Sequence, residues 1–235
     1  MTPVLVLPSS LGTSTDLWER NVGLWSDTFR VLPYDQRGRT SVEQLGRDLL
    51  ELLDDSGIER AAICGVSLGG ATAMWVAASE PERVDRLVLA CTSARFGEPA
   101  QWVERAAVVR EQGLDPIADS IVARWFTAAA PEELVARFRA QLVATPPDDY
   151  ARCCEALARW DFRERLGEIQ APTLVVGGAE DPAAPLEHQR LLAERIPRAR
   201  FAVLDDAAHL ANVERAEPFS RLVADHLTAA AVEVA

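Results

Sequence analysis

Short, continuous apolar runs alternate with amphipathic segments along much of the chain. Runs this short are typical of strands that are buried on both faces of a parallel sheet. The segments between them repeat large apolar residues at helical spacing, and one begins at the capping residue Ser41. The predicted strands are Pro3–Leu7, Phe29–Tyr34, Ala61–Cys64, Arg86–Cys91, Pro172–Val176 and Phe201–Leu204. The pattern therefore predicts an α/β fold, a mostly parallel sheet of about six strands with helices on both faces, and Pro33 favours a sheet edge for the second strand.

The alternation stops between about Phe96 and Leu166, where every segment has a helical pattern. The predicted helices of this region are Ala100–Gln112, Pro116–Thr127, Pro131–Ala144 and Asp148–Trp160. Further helices are predicted over Pro185–Ile196 and Pro218–Ala230, and the alanine-rich tail from Ala229 is expected to fray. We predict an α/β core formed by 1–95 and 167–235, with a helical cap inserted at 96–166. The cap should lie over the carboxyl ends of the strands, where ligands bind in such sheets.

Composition narrows the classes of partner. The net charge of −12 disfavours nucleic acid, which needs a basic face. All 24 basic residues are arginine, and the absence of lysine excludes a Schiff-base lysine, a pyridoxal-phosphate anchor and a P-loop. The four cysteines have no metal-binding spacing, and no signal peptide or membrane-spanning run is evident. We expect a cytoplasmic protein with no metal, cofactor or membrane partner, and leave its oligomeric state open, a homo-oligomer included.

The segment Gly65-Val66-Ser67-Leu68-Gly69 lies between a predicted strand and a predicted helix. This context is typical of a nucleophile elbow, a strained turn that presents a serine hydroxyl above the sheet. A side chain at Gly65 or Gly69 should collide with the neighbouring strand or helix. Ser67 is therefore the candidate nucleophile, and the Leu68 N–H at the start of the helix is a candidate oxyanion donor.

A serine nucleophile needs a histidine base, and the chain has three histidines. His188 and His226 fall inside predicted helices, where a solvated role is the simpler interpretation. His209 follows the last predicted strand, at the end of the sheet where Ser67 lies. We predict His209 as the base.

The orienting carboxylate should follow the preceding strand, which leaves Glu180 and Asp181 as candidates. We favour Asp181, because aspartate before proline suits an extended loop geometry. The second oxyanion donor should be the backbone N–H of Ser10 or Leu11, in the loop after the first strand. Ser9 and Ser10 are interpreted as turn residues rather than nucleophiles.

With these residues assembled, the chain resembles the α/β-hydrolase family, and within it the 3-oxoadipate enol-lactonases of aromatic degradation. The motifs that carry the resemblance are Ser10-Leu11-Gly12-Thr13, Tyr34-Asp35-x-Arg37-Gly38, Cys64-Gly-x-Ser-Leu-Gly-Gly70, Arg124-Trp125-Phe126-Thr127, Tyr150-Ala-x-Cys-Cys-Glu-Ala156 and Ala208-His209-Leu210-Ala-Asn-Val-Glu214. Two features depart from that pattern. We expect the sheet to lack the N-terminal antiparallel hairpin that usually precedes the first strand, and the loop after Gly38 is short.

The resemblance implies a Ser67–His209–Asp181 hydrolase that opens 3-oxoadipate enol-lactone through an acyl-enzyme. Such a small, anionic lactone or ester needs a cationic partner, for which Arg124 is the first candidate. Trp125 and Trp160 are candidates to line the pocket, with packing of the cap as the alternative role.

Several alternatives stay open at this stage. The arginines that could bind a substrate carboxylate on charge alone, besides Arg124, are Arg137, Arg152 and Arg159. The same fold also supports a general carboxylesterase, a carbon–carbon bond hydrolase or a cofactor-free haloperoxidase, and a non-catalytic hydrolase-like binding protein is the rival from another class.

Overall fold

A computed structural model describes residues 2–229 of the chain. The elements run in chain order β1 (Val4–Pro8), α1 (Glu19–Trp25), β2 (Arg30–Tyr34), α2 (Val42–Asp55), β3 (Ala61–Val66), α3 (Leu68–Ser79), β4 (Val84–Ala90), α4 (Pro99–Gln112), α5 (Asp115–Val122), α6 (Glu132–Ala144), α7 (Pro147–Ala158), β5 (Thr173–Gly178), α8 (Leu186–Arg195), β6 (Ala199–Leu204), α9 (Ala211–Glu214) and α10 (Ala216–Thr228). Short 3-10 helices cover Thr15–Trp18, Pro81–Arg83 and Arg163–Glu168. Beyond Ala229, the tail predicted to fray lies outside the described residues.

The six strands form one sheet in the order β2-β1-β3-β4-β5-β6, and every neighbouring pair is parallel. Val6 of β1 is opposite Leu32 of β2 on one side and Ile63 of β3 on the other. The predicted six-stranded parallel sheet and the edge position of β2 are therefore confirmed. Because all strands run the same way, the loops after β1, β3, β5 and β6 emerge at the same edge of the sheet.

Alternate residues of the central strands enter different cores, as the two-residue period of a strand requires. Leu5 and Leu7 pack on one face with Trp25 of α1 and Phe219 of α10. Val6 packs on the opposite face, in the core that includes buried residues of α2, α3 and α8. Both faces of the sheet are thus covered by helices, which explains why the strands read as continuous apolar runs.

The cap region consists of α4 to α7, which follow one another between β4 and β5. The helix predicted over Pro116–Thr127 is α5, and it ends at Val122 rather than at Thr127. At its end the chain tightens into i→i−3 bonds, from the Arg124 N–H to Ile121 and from the Trp125 N–H to Val122. Beyond them the Thr127 N–H donates to Glu214 Oε1 over 2.8 Å, and the Trp125 carbonyl accepts the Leu210 N–H over 2.9 Å. These backbone groups bind outside the helix and cannot continue it. Within residues 2–229, no helix has the length and apolarity needed to cross a bilayer.

Candidate active site

Ser67 occupies the sharp turn between β3 and α3, with φ 55° and ψ −116°. A positive φ is costly for a residue that has a Cβ, so the surrounding structure must hold it. The Ser67 N–H donates to the Ala90 carbonyl over 3.0 Å, and Thr92 Oγ1 donates to the Ser67 carbonyl over 2.7 Å. Both backbone groups of the strained residue are therefore fixed from β4 and the loop that follows it.

The glycines on either side of the turn are required by close backbone contacts. A Cβ at Gly65 would overlap the backbone of Gly69, and a Cβ at Gly69 would overlap the carbonyl oxygen of Pro8. These contacts confirm the collisions predicted from the sequence. They also show that α3 starts directly against the end of β1.

Asp181 and His209 form a buried pair above the carboxyl ends of β5 and β6. His209 Nδ1 lies 2.9 Å from Asp181 Oδ2 and 3.1 Å from Oδ1, and the carboxylate has no exposed surface. Asp181 Oδ1 also accepts the N–H groups of Ala183 (2.8 Å) and Ala184 (3.0 Å). Because a carboxylate only accepts, the proton between the pair belongs to Nδ1, which leaves Nε2 free to accept a proton. Glu180, the alternative carboxylate, is exposed.

Ser67 and His209 line one cavity together with Ser10 and Leu11. No direct hydrogen bond joins the Ser67 hydroxyl to His209 among the residues that the structure describes. Catalytic hydrogen bonds are often long before substrate binds and shorten in the complex. The structure thus brings the predicted nucleophile, base and orienting carboxylate to the same place in the fold.

The candidate oxyanion donors differ in how their N–H groups are used. The Ser10 N–H donates to Thr13 Oγ1 over 3.1 Å. The N–H groups of Leu11 and Leu68 have no acceptor in residues 2–229. Of the two alternatives left open by the sequence, the geometry therefore favours Leu11, with Leu68 opposite it at the positive end of α3.

The cap contributes two of the three predicted substrate-binding residues to the cavity, Arg124 and Trp125. Arg124 Nη2 donates to the Pro182 carbonyl over 3.2 Å. Burial, and after it the positive charge of Arg105, lowers the pKa of Arg124. Arg124 remains charged nonetheless, since arginine has so high an ordinary pKa. A guanidinium placed this way can bind an anionic group of a ligand.

Trp160, the third predicted residue, does not line this cavity. Its Nε1–H donates to the Ser93 carbonyl over 2.9 Å, and its ring stacks on Phe162 with centroids 4.7 Å apart. Both contacts turn the indole into the core, so its role is packing. The sequence placed Trp160 in the cap but could not say which way the ring turns.

The three other candidate arginines point away from the cavity. Arg137 pairs with Glu19, and Arg152 pairs with Asp148 over 2.8 Å. Arg159 donates to the Thr40 carbonyl over 2.9 Å. Of the four arginines that the sequence left as candidates, Arg124 is the one that lines the cavity.

Arg105 of α4 lines the cavity as well, and the sequence analysis missed it. It makes no ion pair with an Asp or Glu among residues 2–229, and its guanidinium carbon lies 4.7 Å from the Trp102 ring centroid. No local motif marks Arg105, and α4 carries a second arginine, Arg110, that binds Asp148 and Glu155 instead. The signal is the absence of a carboxylate partner, which only the folded chain shows.

A serine and a histidine also approach each other outside the cavity. Ser93 Oγ is 3.3 Å from His188 Nδ1, but the hydroxyl donates to the Arg95 carbonyl over 2.6 Å. His188 is partly exposed, and its Nε2 is 3.9 Å from Glu187. Ser93 neither lines the cavity nor stands on a nucleophile elbow, so this pair lacks the features that Ser67 and His209 share.

His226, predicted to be solvated, is buried instead, with 3% of its surface exposed. Its Nδ1 accepts from Arg200 Nη2 over 3.2 Å and its Nε2 donates to the Pro172 carbonyl over 3.2 Å. Burial, followed by the charges of Arg200 and Arg86, lowers the pKa of His226 to about 4. Helix α10 turns this residue toward the sheet, which its position in an amphipathic pattern did not indicate.

Comparison with known proteins bears on this arrangement. Residues 3–216 match the family described as alpha/beta hydrolase fold. The chain is 38% identical to 3-oxoadipate enol-lactonase 2 of Acinetobacter baylyi, over 94% of this chain and 87% of that protein. It is 31% identical to the RutD protein of Stutzerimonas stutzeri, named as a candidate carbamate hydrolase, over 99% and 94%.

Among solved structures, the enol-lactonase from Burkholderia xenovorans LB400 superposes with a TM-score of 0.94 at 40% identity, over 97% of this chain and 92% of that one. The parallel sheet, the serine turn between β3 and α3, and these matches over almost the full length all agree. The chain belongs to the α/β-hydrolase family.

Proposed function

We propose that this hydrolase cleaves esters with Ser67 as nucleophile, His209 as base and Asp181 as the group that orients the histidine. The observation that carries the proposal is the buried Asp181–His209 pair, which shares a cavity with a serine held on a strained turn. Asp181 fixes the tautomer that leaves Nε2 available for the serine proton. A binding domain would have no need of a strained serine beside an oriented imidazole.

In the proposed reaction, Ser67 Oγ attacks the carbonyl carbon while its proton passes to His209 Nε2. The N–H groups of Leu68 and Leu11 stabilise the oxyanion that forms. The carbon–oxygen bond of the leaving group then breaks, and His209 Nε2 returns the proton to the departing oxygen. Water next gives a proton to His209 and attacks the acyl-enzyme, which releases the carboxylate product and restores Ser67.

We further propose 3-oxoadipate enol-lactone as the substrate. The support is the similarity to two proteins named as enol-lactonases, at 38% and 40% identity. Opening of the ring releases an enolate, which takes the proton from His209 and becomes a ketone. Because the leaving group stays attached to the acyl chain, the product is one molecule, 3-oxoadipate.

The free carboxylate of this substrate fits the charges of the cavity. Arg105 and Arg124 line the cavity, although the chain as a whole carries a net charge of −12. A guanidinium without a carboxylate of its own can bind the carboxylate of a ligand, and the apolar walls strengthen the attraction. The ring of the lactone would lie against Trp102 and Trp125, which line the same cavity.

The deciding experiment compares hydrolysis of the enol-lactone, followed by its ultraviolet absorbance, with hydrolysis of p-nitrophenyl acetate. Ser67→Ala should abolish both activities, whereas Ser93→Ala, the same change in the serine that contacts His188, should leave both within about twofold of the parent. Loss of activity in Ser93→Ala with retention in Ser67→Ala would reverse the assignment of the nucleophile.

The two parts of the proposal can fail separately. A parent that cleaves p-nitrophenyl acetate but not the lactone would keep the serine mechanism and reject the substrate; carbamates, suggested by the RutD match, would then be assayed next. A folded parent that ignores both substrates and does not react with a fluorophosphonate would be a non-catalytic member of the family.

A further inference from the structure

A buried glutamine connects the two segments that carry the candidate oxyanion donors, the loop after β1 and the start of α3. Gln36 follows β2 and is 4% exposed. Its Nε2 donates to the Ser9 carbonyl over 2.7 Å, and its Oε1 accepts from Thr72 Oγ1 over 2.8 Å. A carbonyl oxygen can only accept, so the amide nitrogen must face Ser9 and the amide oxygen must face Thr72. Both ends of the amide are therefore used, one on each segment.

The Ser9 end of this connection supports the loop that carries Leu11. The Ser9 carbonyl belongs to the peptide unit immediately before Ser10, and Gln36 fixes its direction. Thr13 fixes the next unit, because its N–H (3.2 Å) and its Oγ1 (3.0 Å) both donate to the Ser10 carbonyl. In a trans peptide the carbonyl and the following N–H point in opposite directions, so the Leu11 N–H is turned away from Thr13.

The Thr72 end supports the helix that carries Leu68. Thr72 lies one turn after Leu68 in α3 and is fully buried, and its Oγ1 is also 3.1 Å from the Leu68 carbonyl. The hydroxyl has one proton, and the shorter distance, 2.8 Å against 3.1 Å, indicates that it donates to Gln36. Helix and loop meet without an intervening side chain at Gly69, whose Cβ position overlaps the Pro8 carbonyl oxygen. Gln36 thus bridges two segments that already touch.

We propose that Gln36 is a positioning residue for the oxyanion hole, since it fixes the distance and angle between the Leu11 and Leu68 N–H groups through Ser9 and Thr72. Gln36 does not line the cavity, and its hydrogen-bond partners are Ser9 and Thr72 rather than Ser67. An apolar side chain would fill this buried site without the cost of desolvating an amide, and what the amide adds is two directed hydrogen bonds. The proposal rests on the serine mechanism proposed above, but not on the lactone as substrate.

The test uses p-nitrophenyl acetate and phenylboronic acid, which forms a tetrahedral anion on a reactive serine. Gln36→Met removes both hydrogen bonds at similar volume, and Thr72→Val removes the threonine proton donor while keeping its shape. Each variant should lower kcat about tenfold and leave KM within about twofold of the parent value. The loss is smaller than the 10²–10³-fold fall in kcat typical for deletion of a whole oxyanion donor, because both donors are still present. The Ki of phenylboronic acid should rise by the same factor as kcat falls.

Two controls separate positioning from stability. Thr72→Ser keeps the hydroxyl and should retain kcat near the parent value. Gln141→Met makes the same change in a cap glutamine that donates to Ser14 Oγ over 2.6 Å, and it should lower the melting temperature without changing kcat. Because the two bonds form one chain, the double variant Gln36→Met/Thr72→Val should lose little more than either single variant.

Parent-like kcat and Ki in both Gln36→Met and Thr72→Val would overturn the proposal. So would a loss that Thr72→Ser shares, or one that appears as a rise in KM. A parent that reacts with neither ester nor fluorophosphonate would instead remove the serine mechanism and this inference with it. The two failures are therefore distinguished by the parent alone.

Discussion

Replacing Asp181 by asparagine changes one atom of the buried pair, and the structure predicts how the new amide would turn. Asp181 Oδ1 accepts the N–H groups of Ala183 and Ala184, so the single oxygen of asparagine should remain there. The NH₂ group then takes the place of Oδ2, 2.9 Å from His209 Nδ1. Two donors cannot share that contact, and the only acceptor left to Nδ1 would be Oδ1, which is 3.1 Å away and already accepts two N–H groups. We therefore expect the imidazole to move its proton from Nδ1 to Nε2.

A histidine protonated on Nε2 cannot accept the proton of Ser67. We therefore expect Asp181→Asn to lower kcat by about 10⁴-fold at pH 7, the loss typical of a wrong tautomer in serine hydrolases, which corresponds to about 5.4 kcal/mol of activation free energy. KM should change little, since Asp181 lies behind the imidazole and not in the cavity lining.

The assay is steady-state hydrolysis of p-nitrophenyl acetate, with the enol-lactone in parallel if the parent accepts it. Glu180→Gln is the matched control, because it makes the same chemical change one residue earlier, at an exposed side chain. Melting temperatures of all three proteins show whether the fold is retained. An Asp181→Asn protein that is folded and keeps more than about a tenth of the parental kcat would refute the tautomer argument.

Three further outcomes are expected. Arg124→Met should raise KM for the anionic lactone about tenfold or more and leave kcat/KM for neutral p-nitrophenyl acetate within about twofold. The control Arg137→Met, which breaks a surface ion pair with Glu19, should change neither value. Equal losses of Arg124→Met on both substrates would contradict the role of Arg124 in binding the carboxylate. The pKa of His226 is about 4 in the folded chain against an ordinary 6.5, so the unfolded chain binds this proton first as the pH drops. The free energy of unfolding should therefore fall between about pH 6.5 and about pH 4, by at most about 1.4 kcal/mol per pH unit. Urea unfolding of His226→Gln should show a smaller loss of stability in acid, and an unchanged loss would exclude His226 as its source. Gly69→Ala should lower the free energy of unfolding by roughly 1–3 kcal/mol, because the new Cβ would overlap Pro8. Gly23→Ala in α1, whose Cβ would meet nothing within 4 Å, should raise it by about 0.5–1 kcal/mol. Equal effects of the two substitutions would contradict the packing argument.

The parts of the fold that the sequence predicted well are those where one physical constraint acts on neighbouring residues. The apolar runs indicated parallel strands buried on both faces, and the sheet has six of them. Gly65 and Gly69 indicated tight backbone contacts, and both contacts are present. Asp181 was preferred to Glu180 from its position before Pro182, and it is Asp181 that contacts His209.

The misplaced residues depend on contacts between distant parts of the chain. The helical pattern over Pro116–Thr127 has no local stop signal at Val122, but the backbone that follows binds Glu214 and Leu210, which lie far along the chain. His226 and Trp160 are polar-tipped residues on helices or at helix ends, and which way such residues face depends on the element packed against them. A periodic pattern shows which residues form the apolar face of a helix. It does not determine where the helix ends or whether residues at the edge of that face are buried.

The same distant contacts link the cap to the base of the proposed reaction. Glu214 Oε1 accepts from the N–H and hydroxyl of Thr127, each over 2.8 Å, and its Oε2 accepts the Ala208 N–H over 2.7 Å. One carboxylate thus holds the cap segment that follows Arg124 and Trp125, and also the residue that precedes His209. A shift of the cap large enough to break these bonds would leave two backbone N–H groups without an acceptor and would move the loop of the base. The residues proposed to bind substrate and the base proposed to act on it therefore share one support, and binding in the cavity and alignment of His209 should not vary independently.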